Sequence, residues 1–165
     1  MVVKYAYVSG SDKVGKAKVD SCKVSYKNTH NTLFAIRGMS IPRAMKYLSN
    51  VLDHSEIVPF YKFHGGCSRH AEAKAWGINH GRFPEKSVAI VMDLLKQAAA
   101  HARAQHNVED ADLIVLDTFC GQAVGHRRRL YRAHGRVTAF NSQPCHCQII
   151  VSPKKQGVAA EKALE

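Results

Sequence analysis

The side chains in this 165-residue chain that can carry chemistry are ten histidines, five cysteines and twenty-four lysines and arginines. The densest group is the run His-Arg-Arg-Arg-Leu-Tyr-Arg-Ala-His-Gly-Arg, residues 126–136. Arg127, Arg128, Arg129, Arg132 and Arg136 lie there with Tyr131, His126 and His134, and no Asp or Glu occurs between Asp117 and Glu161. A guanidinium is always charged, and its flat fork grips phosphate through two hydrogen bonds or stacks on a base. A strip of this density is hard to bury against protein and suits a polyanion. Each phosphate neutralised should add roughly 0.7–0.9 to the log–log salt slope of binding. A short basic run can also serve as a nuclear-localisation patch, a role that does not exclude nucleic-acid binding.

The histidines raise the question of catalysis. A nuclease can pair His with Lys or Arg around a phosphate. His126 and His134 lie in the basic strip, and His64, His70 and His80 in a glycine-rich segment. None has an acidic residue close in sequence to orient it, so these histidines read as contact or packing residues and no enzyme is expected. Cys67-x-x-His70 and Cys145-x-Cys147 offer sulfur and imidazole donors for zinc. The second spacing is wrong for a zinc knuckle. On a strand Cys145 and Cys147 share a face, and cysteine packs as a small buried hydrophobe, so no metal is expected. There is no phosphate-cradling P-loop and no dinucleotide fingerprint, so no cofactor is expected either.

Composition narrows the class. Hydrophobic residues make up 45% of the chain, enough for a buried core, and the formal net charge is +11, which most often means a nucleic-acid partner. The cysteines are odd in number and irregularly spaced, which reads as reduced thiols in an intracellular protein. The N-terminus shows no secretory pattern, and no apolar run approaches a membrane span.

The elements that must position these groups follow from periodicity. Residues 1–19 hold Lys4, Lys13, Lys16 and Lys18 among Gly and Ser and read as an irregular basic arm. Cys22, Val24 and Tyr26 alternate with polar residues, predicting a strand over 20–27. Asn28 or Thr29 can cap a short helix that carries Leu33, Phe34 and Ile36 and stops at Gly38. Ser40 and Pro42 open a second helix with the stripe Ile41, Ala44, Met45, Leu48 and Leu52. Residues 54–86 are broken by Gly65, Gly66, Gly77 and Gly81 and interleave Tyr61, Phe63, Trp76 and Phe83 with Arg69, Lys74, Arg82 and Lys86. Such a segment can follow an RNA surface, with rings meeting bases and cations meeting phosphates, or can pack on the protein's own core. Pro84 and Glu85 open the longest helix, which runs through Val88, Val91, Met92, Leu95, Ala98, Ala99 and Ala102 to about His106.

The apolar run over 113–119 and the alternating run over 143–151 read as two strands. A loop of that length between them counts against a compact domain unless the segment projects as a ribbon. The predicted class is therefore α+β: three helices packed on a small antiparallel sheet, with a long protruding β-hairpin over about 117–142. The expected organisation is the basic arm 1–19, one domain over 20–152, and a short tail over 153–165.

Several runs, in order and at matching spacing, carry a resemblance. They are Lys-Asn-Thr at 27–29, Ile-Arg-Gly-Met at 36–39, Val-Pro-Phe at 58–60, Ala-Lys-Ala-Trp-Gly at 73–77, Gly-Arg-Phe-Pro-Glu-Lys-Ser at 81–87, Arg-Arg-Arg-Leu-Tyr-Arg-Ala-His-Gly-Arg at 127–136, and Ser-Gln-Pro-Cys-His at 142–146. Over about residues 20–152 the chain resembles the universal large-subunit ribosomal protein family called L twenty-two in bacteria and L seventeen in eukaryotes, in its eukaryotic form. The resemblance implies a small α+β body near the exit of the nascent-peptide tunnel and a hairpin that reaches inward through rRNA to the tunnel wall. It implies large-subunit rRNA, neighbouring ribosomal proteins and the nascent polypeptide as partners, with no membrane. It also implies a cytosolic ribosome with nuclear or nucleolar passage during assembly, and no catalytic residues.

Carried onto this chain, the rRNA-binding residues are expected to be Arg127, Arg128, Arg129, Tyr131, Arg132, His134 and Arg136. Arg69, Lys74, Trp76, Arg82 and Lys86 of the glycine-rich segment are expected to join them, with Lys27. The hairpin tip is expected within Gly121 to Arg132, with Gln122, Ala123, Val124, Gly125 and His126 lining the tunnel and Arg132, His134 and Arg136 on the returning strand. Gln122 to His126 carry fewer lysines than the family's tip, and residues 1–19 match the family poorly.

Overall fold

A computed structural model describes residues 5–6 and 13–154. In chain order the elements are β1 (Gly15–Cys22), α1 (Tyr26–Ile36), α2 (Ile41–Leu52), β2 (Val58–Pro59), β3 (Gly81–Arg82), α3 (Glu85–His106), β4 (Leu113–Gln122), β5 (Arg129–Tyr131), β6 (Val137–Ala139) and β7 (Cys145–Pro153). Short 3-10 turns cover Ala71–Trp76, Asp110–Asp112 and Ala133–Gly135. The α+β class stands, with three helices on a three-stranded antiparallel sheet of order β1-β7-β4.

β7 is the central strand, which explains its burial. Cys145, Cys147, Ile149 and Val151 face the helices and are closed to solvent, while Gln148 and Ile150 on the opposite face are also buried. The Ala6 N–H donates to the Gln148 side chain at 2.9 Å, so the segment at Tyr5–Ala6 helps cover that second face. α3 packs on β1 and β7, and α1 packs on β4. Leu33, Ile36, Leu48, Val88, Leu94, Leu95 and Ile149 fill the space between the layers.

The first strand lies earlier than its alternation suggests. Residues 15–19, expected in the irregular arm, are the start of β1, and the expected boundary at residue 20 falls inside the strand. The reason is the partner surface. Ala98 and Ala102 of α3 are small, and Gly15 has no Cβ to hold them off: one built there would meet the Ala102 Cβ and the Val151 Cγ2 at 2.8 Å each. Of the expected arm and tail, residues 1–4, 7–12 and 155–165 lie outside the described residues.

Helix α1 starts at Ser25, three residues ahead of the expected Asn28 cap. Thr29 is buried, its hydroxyl donating to the Ser25 carbonyl at 3.0 Å and lying 3.0 Å from the Ser87 hydroxyl, which ties the first turns of α1 and α3 together. Gly38 adopts φ +83, the left-handed conformation that ends the segment. In α2 the buried stripe is Ile41, Ala44, Tyr47, Leu48 and Val51, while Leu52 is exposed. Tyr47 joins the core because its hydroxyl donates to the Ile57 carbonyl at 2.8 Å, satisfying the one polar atom it buries. The expected α3 is found, with Asn107 at φ 52 closing it.

Candidate nucleic-acid interface

The ribbon is built from β5 and β6. They pair Arg129 with Ala139, Leu130 with Thr138 and Tyr131 with Val137. Pairing in the sheet continues outward through Gln122 opposite Cys145, then His126 opposite Ser142. Asp117 to Gln122, expected in the projection, are therefore part of the sheet. Every residue from Val124 to Asn141 is exposed, so the ribbon beyond the sheet rests on nothing in the described body. A two-stranded ribbon alone is marginally stable in water.

The turn is not where the sequence suggested. Arg132 N–H donates to the Arg136 carbonyl at 2.7 Å, closing a loop in which His134 (φ 58) and Gly135 (φ 69) both take left-handed backbone. The tip is Ala133-His134-Gly135. Gln122, Ala123, Val124, Gly125 and His126, expected at the tip, lie on the outgoing arm near the root, because Ala123 N–H already bonds the Pro144 carbonyl at 3.0 Å. Arg132, His134 and Arg136, expected on the returning strand, form and flank the turn. The signal available in the sequence was His134-Gly135: glycine tolerates positive φ and histidine is enriched there.

Strand alternation settles the ribbon's faces. Arg129 and Tyr131 share one face with their partners Ala139 and Val137. Leu130 and Thr138 share the other. One step outward from β5 and β6, the Arg128 guanidinium lies 4.7 Å from the centre of the Phe140 ring, while Phe140 N–H donates to the Arg128 carbonyl at 2.8 Å. A cation held over an exposed ring is presented in a fixed direction at little entropic cost.

A second basic surface lies where the ribbon meets the body. A cleft of about 590 Å³ is lined by Lys23, Gly125, His126, Arg127, Arg128 and Ser142. Lys23 and Lys27 line an adjoining cleft with Asn141, Ser142 and Gln143. A third, of about 420 Å³, adds Asn28, Lys86 and Ser87, with Glu85 as its one acidic residue. Both α1 and α3 begin here, and neither is capped by the side chain of its N-cap residue, Ser25 or Pro84. The start of a helix carries partial positive charge that favours anions, and lysines around it reinforce this. Lys23 was not singled out from the sequence. It is one lysine among many until β1 and α1 bring it opposite the ribbon. Asp117, the last acid before the strip, is paired with Arg37 at 3.1 Å and is neutralised within the body.

The glycine-rich segment divides. Arg69, Lys74, Arg82 and Lys86 are exposed, as is Lys27. Arg82 donates to the Gly66 carbonyl at 3.3 Å and lies 5.7 Å from the Phe60 ring centre, which orients its charge. Trp76, expected among the RNA-contacting rings, is half-buried against the core, where its ring meets Tyr47 edge-on at 5.6 Å. The exposed rings are Tyr61 and Phe63 here, and Tyr131 and Phe140 on the ribbon. Burial holds the His30 imidazole below its ordinary pKa, and its Nδ1 is unpartnered. No described helix is long and apolar enough to cross a membrane.

Comparison with known proteins agrees with this architecture. The family model described as Ribosomal protein L22p/L17e matches residues 17–152. The large ribosomal subunit protein uL22 of Argas monolakensis is 45% identical over 146 residues, covering 88% of this chain and 78% of that one. The uL22 of Caenorhabditis elegans is 42% identical over 150 residues, covering 90% and 79%. That of Drosophila melanogaster is 41% identical over 157 residues, covering 93% and 83%. With a match across nearly all of the described fold, from β1 through the ribbon to β7, the chain belongs to the ribosomal protein L22p/L17e family.

Proposed function

We propose that this chain is a structural constituent of the large ribosomal subunit, holding rRNA between its exposed ribbon and the basic clefts at the ribbon's root. The observation that carries this reading is the ribbon itself, whose residues from Val124 to Asn141 are all exposed and include Arg127, Arg128, Arg129, Arg132 and Arg136 without an acid among them. A free protein gains little from ordering such a ribbon, because it buries no apolar face. Densely packed rRNA would stabilise it on both sides, with phosphates meeting the arginines and bases meeting Tyr131 or Phe140. Other large-subunit proteins are its neighbours in this reading.

The finer role follows from the turn. The ribbon turns at Ala133-His134-Gly135, so contact with a nascent polypeptide in the exit tunnel is assigned to Arg132, His134 and Arg136. The root residues Gln122 to His126 are assigned to rRNA. The protein acts without catalysis, as a scaffold and tunnel wall. It works on the cytosolic ribosome after nuclear or nucleolar passage during assembly, and residues from β1 to β7 form the single domain that carries the ribbon.

Sedimentation of cell extract tests the assignment. Co-migration with large subunits, resistant to moderate salt, is the expected result. A substantial free pool would instead favour an RNA-binding or RNA-processing protein that works off the ribosome.

A further inference from the structure

Three of the five cysteines cluster on the helix-facing side of the sheet, and a fourth, Cys22, lies on the neighbouring strand. Cys120 of β4 is the cross-strand partner of Cys147 of β7, and Cys22 of β1 is the cross-strand partner of Cys145. Cys145 and Cys147 are two apart on β7 and share its face. Their sulfurs are 3.6 Å apart, and the sulfurs of Cys120, Cys145 and Cys147 all lie within 4.8 Å of one another. Cys145 and Cys147 are closed to solvent, and Cys22 is 7% exposed.

Packing alone accounts for a single buried cysteine. It does not call for three thiols in mutual contact where aliphatic side chains would bury more apolar surface. We propose that Cys120, Cys145 and Cys147 form a binding site for one thiophilic metal ion, zinc in the first instance, with Cys22 placed to supply a fourth sulfur. The donor set fits. Zinc bonds thiolate at about 2.3 Å, which puts sulfurs of a tetrahedral set about 3.8 Å apart. The observed separations of 3.6 Å to within 4.8 Å need only small side-chain rotations to reach that value. Purely sulfur donors select zinc or copper(I) over hard cations.

A cleft of about 270 Å³ on the surface beside the cluster counts Cys120 among its lining residues, with His30, Leu33, Phe34, Thr118 and Phe119. Binding exchanges S–H bonds for metal–sulfur bonds: the thiol protons pass to solvent and no electron is transferred. Cys145 and Cys147 are already close enough for one thiol to donate to the other sulfur. Cys67 and His70, the donors that sequence spacing paired with Cys145 and Cys147, are not in the cluster. Cys67 bonds the Phe63 carbonyl at 3.8 Å instead.

The test uses the full chain, purified with reductant and stripped of metal. Titration with zinc against a chromogenic chelator should give one equivalent per chain, and cobalt(II) should give thiolate-to-metal charge-transfer absorption. Cys120→Val and Cys147→Ile, which keep the core apolar, should weaken binding by at least ~10-fold, as should be seen on loss of a ligand. Cys67→Ser should bind like the wild type. Zinc should also slow maleimide labelling of Cys120 in the folded wild-type chain, a readout that needs no variant to fold. Absence of bound metal in the wild type, or binding that survives Cys147→Ile and disappears in Cys67→Ser, would overturn the proposal.

Discussion

His126 and Ser142 exchange both of their backbone hydrogen bonds, His126 N–H donating to the Ser142 carbonyl at 2.9 Å and Ser142 N–H to the His126 carbonyl at 3.0 Å. This pair links the sheet register to the register of β5 and β6. It makes the ribbon one continuous projection whose turn lies at His134. It also identifies a place where the ribbon can be cut.

Removing residues 127–141 and joining His126 to Ser142 through an Asn-Gly turn should leave the body folded, because that turn suits a two-residue hairpin. Far-UV circular dichroism and the thermal midpoint of the body should change little, while affinity for rRNA falls. Removing 121–132 instead takes Gly121 and Gln122 out of β4 and strands β6 without a partner. That variant should aggregate, as an unpaired exposed edge does. Loss of the body's melting transition in the first variant would show that the ribbon belongs to the core.

Replacing Arg127, Arg128 and Arg129 together with Ala should lower the log–log salt slope of rRNA binding by about 2–3 if each meets one phosphate, at roughly 0.7–0.9 per phosphate. Phe140→Ala removes the ring that orients Arg128 and should cost about 0.5–1 kcal/mol of binding with the slope unchanged. Filter binding across a salt series separates the two effects. An unchanged slope in the triple variant would mean these arginines touch no phosphate.

Gly15→Ala should destabilise the fold by about 1–3 kcal/mol, the usual range for an overpacked core position. The added methyl would press on the Ala98 carbonyl of α3, with no flexible side-chain end to yield there. Gly65→Ala is the control, since a Cβ there meets nothing within 4 Å. Urea denaturation of both variants measures the difference, and equal midpoints would contradict the close approach of β1 to α3.

A pH dependence follows from Glu56. Arg43 donates to its two carboxylate oxygens at 2.9 and 3.1 Å, and Asn50 adds a bond at 2.7 Å. The Arg43 guanidinium, more than Asn50, holds the carboxyl below its ordinary value. Its contribution to stability is therefore full above the unfolded-state value and is lost as pH falls through the lower folded-state value. Both groups are partly exposed, so the effect is small. Thermal midpoints from neutral to acidic pH should fall less steeply in Glu56→Gln than in the wild type. Parallel curves would remove Glu56 from the acid limb.

Much of the body was legible in the sequence because its signals are local. Pro42 in the first turn of α2, Pro84 immediately before α3, Gly38 after α1 and the alanine-rich period of α3 each depend on a few neighbouring residues. The misplaced elements depended on distant ones. β1 begins at Gly15 because α3 lies against it, and Tyr26 is helical because Ser25 and Thr29 link α1 to α3 through Ser87. Trp76 reads from the sequence as an RNA-stacking ring, and only Tyr47, brought to it by α2, shows that the ring also packs against the core.

The sequence by itself determined that the protein carries a strongly basic, acid-free ribbon on an α+β body, since charge density and periodicity are properties of the chain read in order. Tertiary structure decided where that ribbon turns, that Arg129 shares a face with Tyr131, and that Lys23 stands opposite it. It also decided that Cys120 joins Cys145 and Cys147. Each of these is a matter of strand register: a shift of one residue in pairing moves side chains to the other face and moves the turn with them. Register is set by packing across the sheet, so it cannot be read from any one stretch of chain.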